Sequence, residues 1–130
     1  MSDVKLFKIL KKVHEFMDSA RDSLRDDHFE AVINRAYYAI FHSIQALLLI
    51  EGIDTKTHVG PHNKFREIFI KTHRLDSSLS QFLRRSFDKR QFGDYDYDDV
   101  SKDQAEESLT DAEQFTSAVI QYLKQNNHLK

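Results

Sequence analysis

The run with the most chemical potential is Arg90-Gln91-Phe92-Gly93-Asp94-Tyr95-Asp96-Tyr97, an arginine followed at short range by tyrosines and carboxylates. A guanidinium presents a fixed fork of N–H donors that can grip two phosphate oxygens at once, which a lysine ammonium does not do. Tyrosine hydroxyls nearby can hydrogen-bond to a ligand, but a phenol of ordinary pKa, about 10, is a poor base at neutral pH. Two readings stand side by side. Arg90 meets an anionic ligand in a cleft, or it pairs with the acidic loop that follows while the tyrosine rings cover the end of a helical bundle.

The 7 histidines raise the question of a metal. His58 and His62 have the i,i+4 spacing of a helical metal pair. Pro61 suits the first position of a helix, however, which leaves His58 in the preceding loop and breaks that geometry. Asp94, Asp96 and Asp98 alternate like the opening of a calcium loop. The sixth position of such a loop needs glycine and is Asp99; the twelfth needs a bidentate glutamate and is Ala105. With 3 scattered Gly and 0 Cys, there is no glycine-rich phosphate loop and no thiolate nucleophile or zinc site. No metal and no cofactor are expected.

The elements that must position these residues read as helices almost throughout. Leu6, Leu10, Val13, Met17, Ala20 and Leu24 recur at three- and four-residue steps along a first long helix. Asp27 with Glu30 resembles a capping box opening a second helix, which is apolar nearly all round from Ala36 to Ile50 and stops at Gly52. So apolar a helix must be covered on several sides, by its own bundle or by a second subunit. Pro61 starts a third helix through Phe65, Ile68 and Phe69. Asp76 or Ser77 caps a fourth with Leu79, Phe82, Leu83 and Phe87 inward, and Gly93 breaks it before an acidic loop from Asp94 to Val100. Ser101 with Gln104 is a capping box for a last helix through Ala105, Leu109, Ala112, Phe115, Val119, Tyr122 and Leu123. The expected fold is all-α, an antiparallel up-and-down bundle of about five helices in a single domain over residues 1–130.

Composition agrees. A chain of 130 residues with 40% hydrophobic and 31% charged residues can build one core, and a single Pro with so few Gly rules out a sandwich or barrel. No stretch reaches the roughly 20 apolar residues of a membrane span, and Met1 to Lys5 lacks a signal-peptide core. A cytoplasmic protein is expected. The net charge of -2 argues against wholesale coating of nucleic acid but leaves room for a local basic face. Charge is segregated: Lys64 to Arg90 is mostly basic and Asp94 to Glu113 strongly acidic. That pattern fits matching between neighbouring helices, or a cationic pocket beside an acidic loop.

Asn34-Arg35-Ala36-Tyr37-Tyr38-Ala39-Ile40-Phe41, Leu47 to Ile53, Lys56-Thr57-His58 and Arg90 to Tyr95, in that order and with those gaps, resemble the HEPN-domain family. Within it the likeness is to the small stand-alone prokaryotic members, often encoded beside a minimal nucleotidyltransferase. The resemblance implies a dimerising helical bundle whose paired sites face a shared cleft, RNA or nucleotide as ligand, and a place in a toxin–antitoxin pair. Active members are metal-independent ribonucleases with a motif of Arg, four to six residues, then His. Arg90 occupies the arginine position. In the extended form a tyrosine two residues after the histidine is adenylylated by the partner nucleotidyltransferase, and that position is Tyr97.

The histidine position is Tyr95, so the motif here is a degenerate Arg-x4-Tyr-x-Tyr. An imidazole titrates near neutrality and can shuttle the proton of a ribose 2′-OH; a phenol does so far less well. Candidate catalytic residues are therefore Arg90, Tyr95 and His58, with His62 as another source of an imidazole. Candidate binding residues are Arg90, Arg35 and Asp94. Arg35 could pair with an acid such as Asp94 and hold the site loop, or contact a second phosphate. The alternative is a catalytically silent nucleotide-binding or structural dimeric module.

Overall fold

The computed structural model describes residues 2–54, 59–95 and 99–129, with side chains except at 2, 3, 59 and 92–95. Helix α1 spans Ser2–Arg25, α2 Phe29–Ile50, α3 Val59–Phe65, α4 Ser78–Tyr95 and α5 Lys102–Gln125. A single π-helical turn, Arg66–Ile70, continues α3. The fold is an all-α antiparallel bundle, and no strand occurs among the described residues. No helix among them is long and apolar enough to cross a membrane.

Helix α2 is the axis. It packs against α1, α3, α4 and α5, which buries Val32, Ala36, Tyr37, Ala39, Ile40, Ile44, Ala46, Leu47 and Leu48 completely. Its all-round apolar sequence is thus covered by its own bundle, without need of a second subunit. The expected inward stripe of α1 is buried from Leu6 to Ala20, and that of α5 from Ala105 to Leu123 apart from the partly covered Tyr122. All of it merges into one apolar cluster.

Three helix ends close by the same device. Gly52 adopts φ +73, with Gly52 N–H donating to Leu49 O and Ile53 N–H to Leu48 O. This is a Schellman closure, which needs a left-handed residue just past the helix. Asp27 at φ 59 and Asn127 at φ 65 do the same for α1 and α5. Asp27 is thereby committed to ending α1, so it does not cap α2: His28 is the N-cap residue there and makes no side-chain cap bond. The capping box on α5 forms as expected, Gln104 N–H to Ser101 Oγ at 3.1 Å and Ser101 N–H to Gln104 Oε1 at 2.9 Å. Asp76 accepts from Ser78 N–H at 3.0 Å and opens α4.

Two further boundaries differ from expectation. Helix α3 begins at Val59, so Pro61 lies within the first turn rather than at its first position. Its missing N–H still costs nothing there, because first-turn amides have no partner inside the helix. Helix α4 continues through Gly93 to Tyr95. A lone glycine weakens a helix by about 1 kcal/mol relative to alanine, too little to end one that Leu79 and Leu83 anchor in the core at its start and Arg90 holds against α2 near its end.

Candidate functional site

Because α4 runs on to Tyr95, Arg90 sits more than a turn inside it, facing the middle of α2. Its guanidinium lies over two aromatic rings, with Cζ 5.1 Å from the centroid of Tyr37 and 5.1 Å from that of Tyr38. Nη2 donates to the Tyr38 hydroxyl at 3.0 Å. Adjacent tyrosines on one helix normally diverge; here their rings meet edge to face, 5.4 Å apart, and form a platform whose negative faces hold the cation. Nε of Arg90 is buried without a hydrogen-bond partner among the described residues. Among the described side chains, which do not include Asp94, no carboxylate forms an ion pair with Arg90 either.

On one side of the platform Tyr37 is fully buried, with its hydroxyl 3.0 Å from His62 Nε2. Burial pushes the phenol up to about 12; the Arg90 charge pulls the other way, and Tyr38 adds a smaller upward push. Tyr37 therefore keeps its proton at neutral pH and can donate to Nε2 of a neutral His62, which then carries its own proton on Nδ1. His62 is 6% exposed and packs edge-on against Phe87, 5.0 Å between centroids. Tyr37 is a hydrogen-bond partner of His62 and a packing ring here, and its raised pKa excludes it as a base.

On the other side, Phe16 of α1 stacks on Tyr38 at 5.5 Å and on His42 at 5.4 Å. Arg35, three residues before Tyr38, donates from Nε to Ser19 Oγ at 2.7 Å. It lines a cavity of about 340 Å³ between α1 and α2 together with Lys12, Phe16 and Asn34. Among the described residues Arg35 is tied to α1 and not to an acid, so its Nη atoms are not committed to a carboxylate.

Seven of the eight arginines divide into two sets, and Arg84 belongs to neither. Arg21, Arg25, Arg74 and Arg85 each pair with a carboxylate, namely Glu113, Asp22, Glu51 and Asp111. Arg85 holds the buried Asp111 with two bonds, 3.1 and 2.7 Å, and Lys89 pairs with Glu107. Much of the basic run of α4 is thus spent on the acidic face of α5, as helix-to-helix matching requires. Arg35, Arg66 and Arg90 are held instead by neutral hydroxyls, those of Ser19, Ser80 and Tyr38. A hydroxyl fixes the direction of a guanidinium without cancelling its charge, which is what an anion site requires.

Of the other expected site residues, His58 and Tyr97 lie outside the described residues. Asp94 and Tyr95 fall on the last turn of α4, where only the backbone is described. Phe16 and His42 escaped the sequence reading, although His42 stands at i+4 from Tyr38 and so on its face of α2. No group of three or more metal-ligating residues occurs among the described residues.

A sequence model of the HEPN domain matches residues 8–125 of the chain. A protein of Methanocaldococcus jannaschii named "Putative toxin MJ0142" is 30% identical over 126 residues, covering 96% of this chain and 86% of the relative. A "UPF0332 protein" of Thermotoga maritima is 30% identical over 84% of this chain and 83% of its own length. Another of that name from Archaeoglobus fulgidus is 36% identical over 82% of this chain and 85% of its own.

Proposed function

Because the chain belongs to the HEPN family, we propose that it is a cytoplasmic, single-domain protein that binds RNA or nucleotide phosphate through Arg90. It acts as the toxin-like half of a pair with a minimal nucleotidyltransferase, which adenylylates Tyr97. The observation that carries the reading is the Arg90 guanidinium, held by Tyr38 and the two tyrosine rings with no carboxylate partner among the described side chains. Two relatives carry the word toxin in their names, which supports the biological assignment.

In RNA cleavage the ribose 2′-oxygen attacks the neighbouring phosphorus, the bond to the 5′-oxygen breaks, and a cyclic phosphate and a 5′-hydroxyl result. Arg90 neutralises charge on the non-bridging oxygens as the phosphorane forms. The 2′-OH proton needs an acceptor and the leaving oxygen a donor. Tyr95 and His58 take these roles, and His42 and His62 are the imidazoles packed beside the platform. Asp94 and Arg35 bind, Arg35 as a second phosphate contact. The silent-binding alternative draws support from His62, whose imidazole is buried and bonded to Tyr37.

The test is cleavage of bulk RNA in the presence of a chelator. Wild-type protein is expected to cleave, and Arg90→Ala to lose about 10²–10³-fold, as when one donor to a developing oxyanion is removed. Binding of nucleotide without cleavage would move the chain to the silent alternative. Undiminished cleavage by Arg90→Ala would overturn the assignment. Mass spectrometry of the Tyr97 peptide after co-expression with the neighbouring nucleotidyltransferase tests the pairing; an unmodified peptide counts against it.

A further inference from the structure

A concavity that holds two arginines lies away from the Arg90 platform, between α3, its π-helical extension and α4. It measures about 460 Å³; Arg66, Ser80, Arg84, Phe87 and His62 line it, and so does one carboxylate, Asp88, which leaves two cations against one anion. That size falls within the roughly 300–1,000 Å³ of small-ligand sites. Arg66 Nε donates to Ser80 Oγ at 3.0 Å, which orients the guanidinium and leaves its Nη donors uncommitted. Neither Arg66 nor Arg84 forms an ion pair among the described residues, even though Arg85, the next residue on α4, holds Asp111 with two bonds. Burial and, second, the charge of Arg84 pull the Arg66 guanidinium below its ordinary value. Two like charges share one wall, and a bound anion would relieve their repulsion.

Local backbone points to the same place. Arg66 opens the π turn, with Lys71 N–H bonding to its carbonyl at 2.9 Å. Such turns are rare and are found frequently at functional sites. Phe87 and His62 on the cavity wall are also members of the aromatic cluster under Arg90: Phe87 lies 5.7 Å from Tyr37, and His62 is bonded to the Tyr37 hydroxyl. The two basic sites are therefore two sides of one set of rings.

We propose that this cavity is a second phosphate subsite, in which Arg66 and Arg84 grip a backbone phosphate of a single-stranded RNA whose neighbouring nucleotide occupies the Arg90 site. Ser80 is a positioning residue that aims Arg66, and the Phe87 ring offers an edge against which a base can rest. The inference rests on the reading of Arg90 as a phosphate ligand, but it makes a separate demand. A mononucleotide needs only the Arg90 site, whereas an oligonucleotide needs both.

Binding of uridine monophosphate and of a fluorescently labelled oligouridylate, measured over a series of salt concentrations, tests it. R66Q/R84Q is expected to weaken the oligonucleotide by at least about tenfold, the effect of removing one charge-assisted hydrogen bond, and to leave the mononucleotide unchanged. The slope of log K against log salt should shrink by about 0.7 for each phosphate of a single strand that the variant no longer neutralises. S80A keeps both charges and should weaken the oligonucleotide less, with no change in slope. Circular dichroism shows whether each variant is folded, and an Arg66→Lys variant supplies a conservative second reading if R66Q/R84Q is not. Equal oligonucleotide affinity and slope in wild type and R66Q/R84Q would overturn the subsite and leave Arg90 standing. If Arg90→Ala changed neither ligand while R66Q/R84Q abolished oligonucleotide binding, the Arg90 reading would fall instead. Failure of wild-type protein to bind either ligand would sink both.

Discussion

A buried tyrosine hydroxyl against a buried imidazole is costly unless each satisfies the other, and Tyr37 and His62 do so at 3.0 Å. Tyr37→Phe removes that partner from the interior and is expected to cost about 1–3 kcal/mol in urea unfolding. The ring that supports Arg90 survives the change, so phosphate binding should hold. If both fell together, the hydroxyl would have a role in the site beyond packing. Residue type and spacing single out Arg90 as a candidate but leave its partner open between an anionic ligand and the acidic loop that follows; the phosphate role is what the family resemblance implies. Its setting was not legible there, since Tyr38 lies fifty-two positions earlier in the chain. The same holds for Arg35 and Arg66, whose seryl partners have nothing in the sequence to single them out.

Helix interiors were legible from periodicity, helix ends less so. The stripes of α1 and α5 follow directly from three- and four-residue spacing, and the Ser101–Gln104 box from two residues that need only each other. Asp27 shows where local reading fails. The same residue type serves as an N-cap or as a left-handed closer, and the helix before it claims it. Gly52 is the case in which the residue type is decisive. Its φ of +73 is strained for any side chain, while an added Cβ would meet nothing within 4 Å. Gly52→Ala should therefore cost about 1–2 kcal/mol, all of it backbone. A much larger loss in a chemical melt would mean that the closure also sets the path toward α3.

Charges between α4 and α5 act on the molecule as a whole. Lys89 holds the Glu107 carboxyl below its ordinary value, mainly through their hydrogen bond. A carboxylate depressed in the folded state contributes stability above its unfolded pKa, and that contribution disappears as pH falls through the folded one. The stability difference between wild type and Lys89→Met should accordingly be constant near neutrality and shrink below the ordinary glutamate value of 4.5. A difference that stayed flat down to strong acid would contradict the pairing. Assembly belongs to this scale too. With α2 covered from within, the large apolar side chains left exposed among the described residues are on α1, where Phe7 is 70% and Val4 63% exposed. Sedimentation is expected to give a dimer that Phe7→Asp converts to monomer; a wild-type monomer would contradict the paired sites that the family resemblance implies.

What the sequence determined by itself was the set of amphipathic stripes, hence an all-helical bundle with α2 at its centre, and the residue that closes that helix. Those properties depend on neighbours within a few positions, where spacing and side-chain type suffice. Only the tertiary structure decided which arginines stay electrostatically available. Ion pairs and hydroxyl anchors join helices far apart in the chain, and their free energy depends on distances that no local pattern encodes. Packing α4 against α5 consumes Arg85 and Lys89, while packing α4 against α2 and the π-helical turn holds Arg90 on rings and a hydroxyl and Arg66 on a hydroxyl, with no carboxylate paired to either among the described side chains.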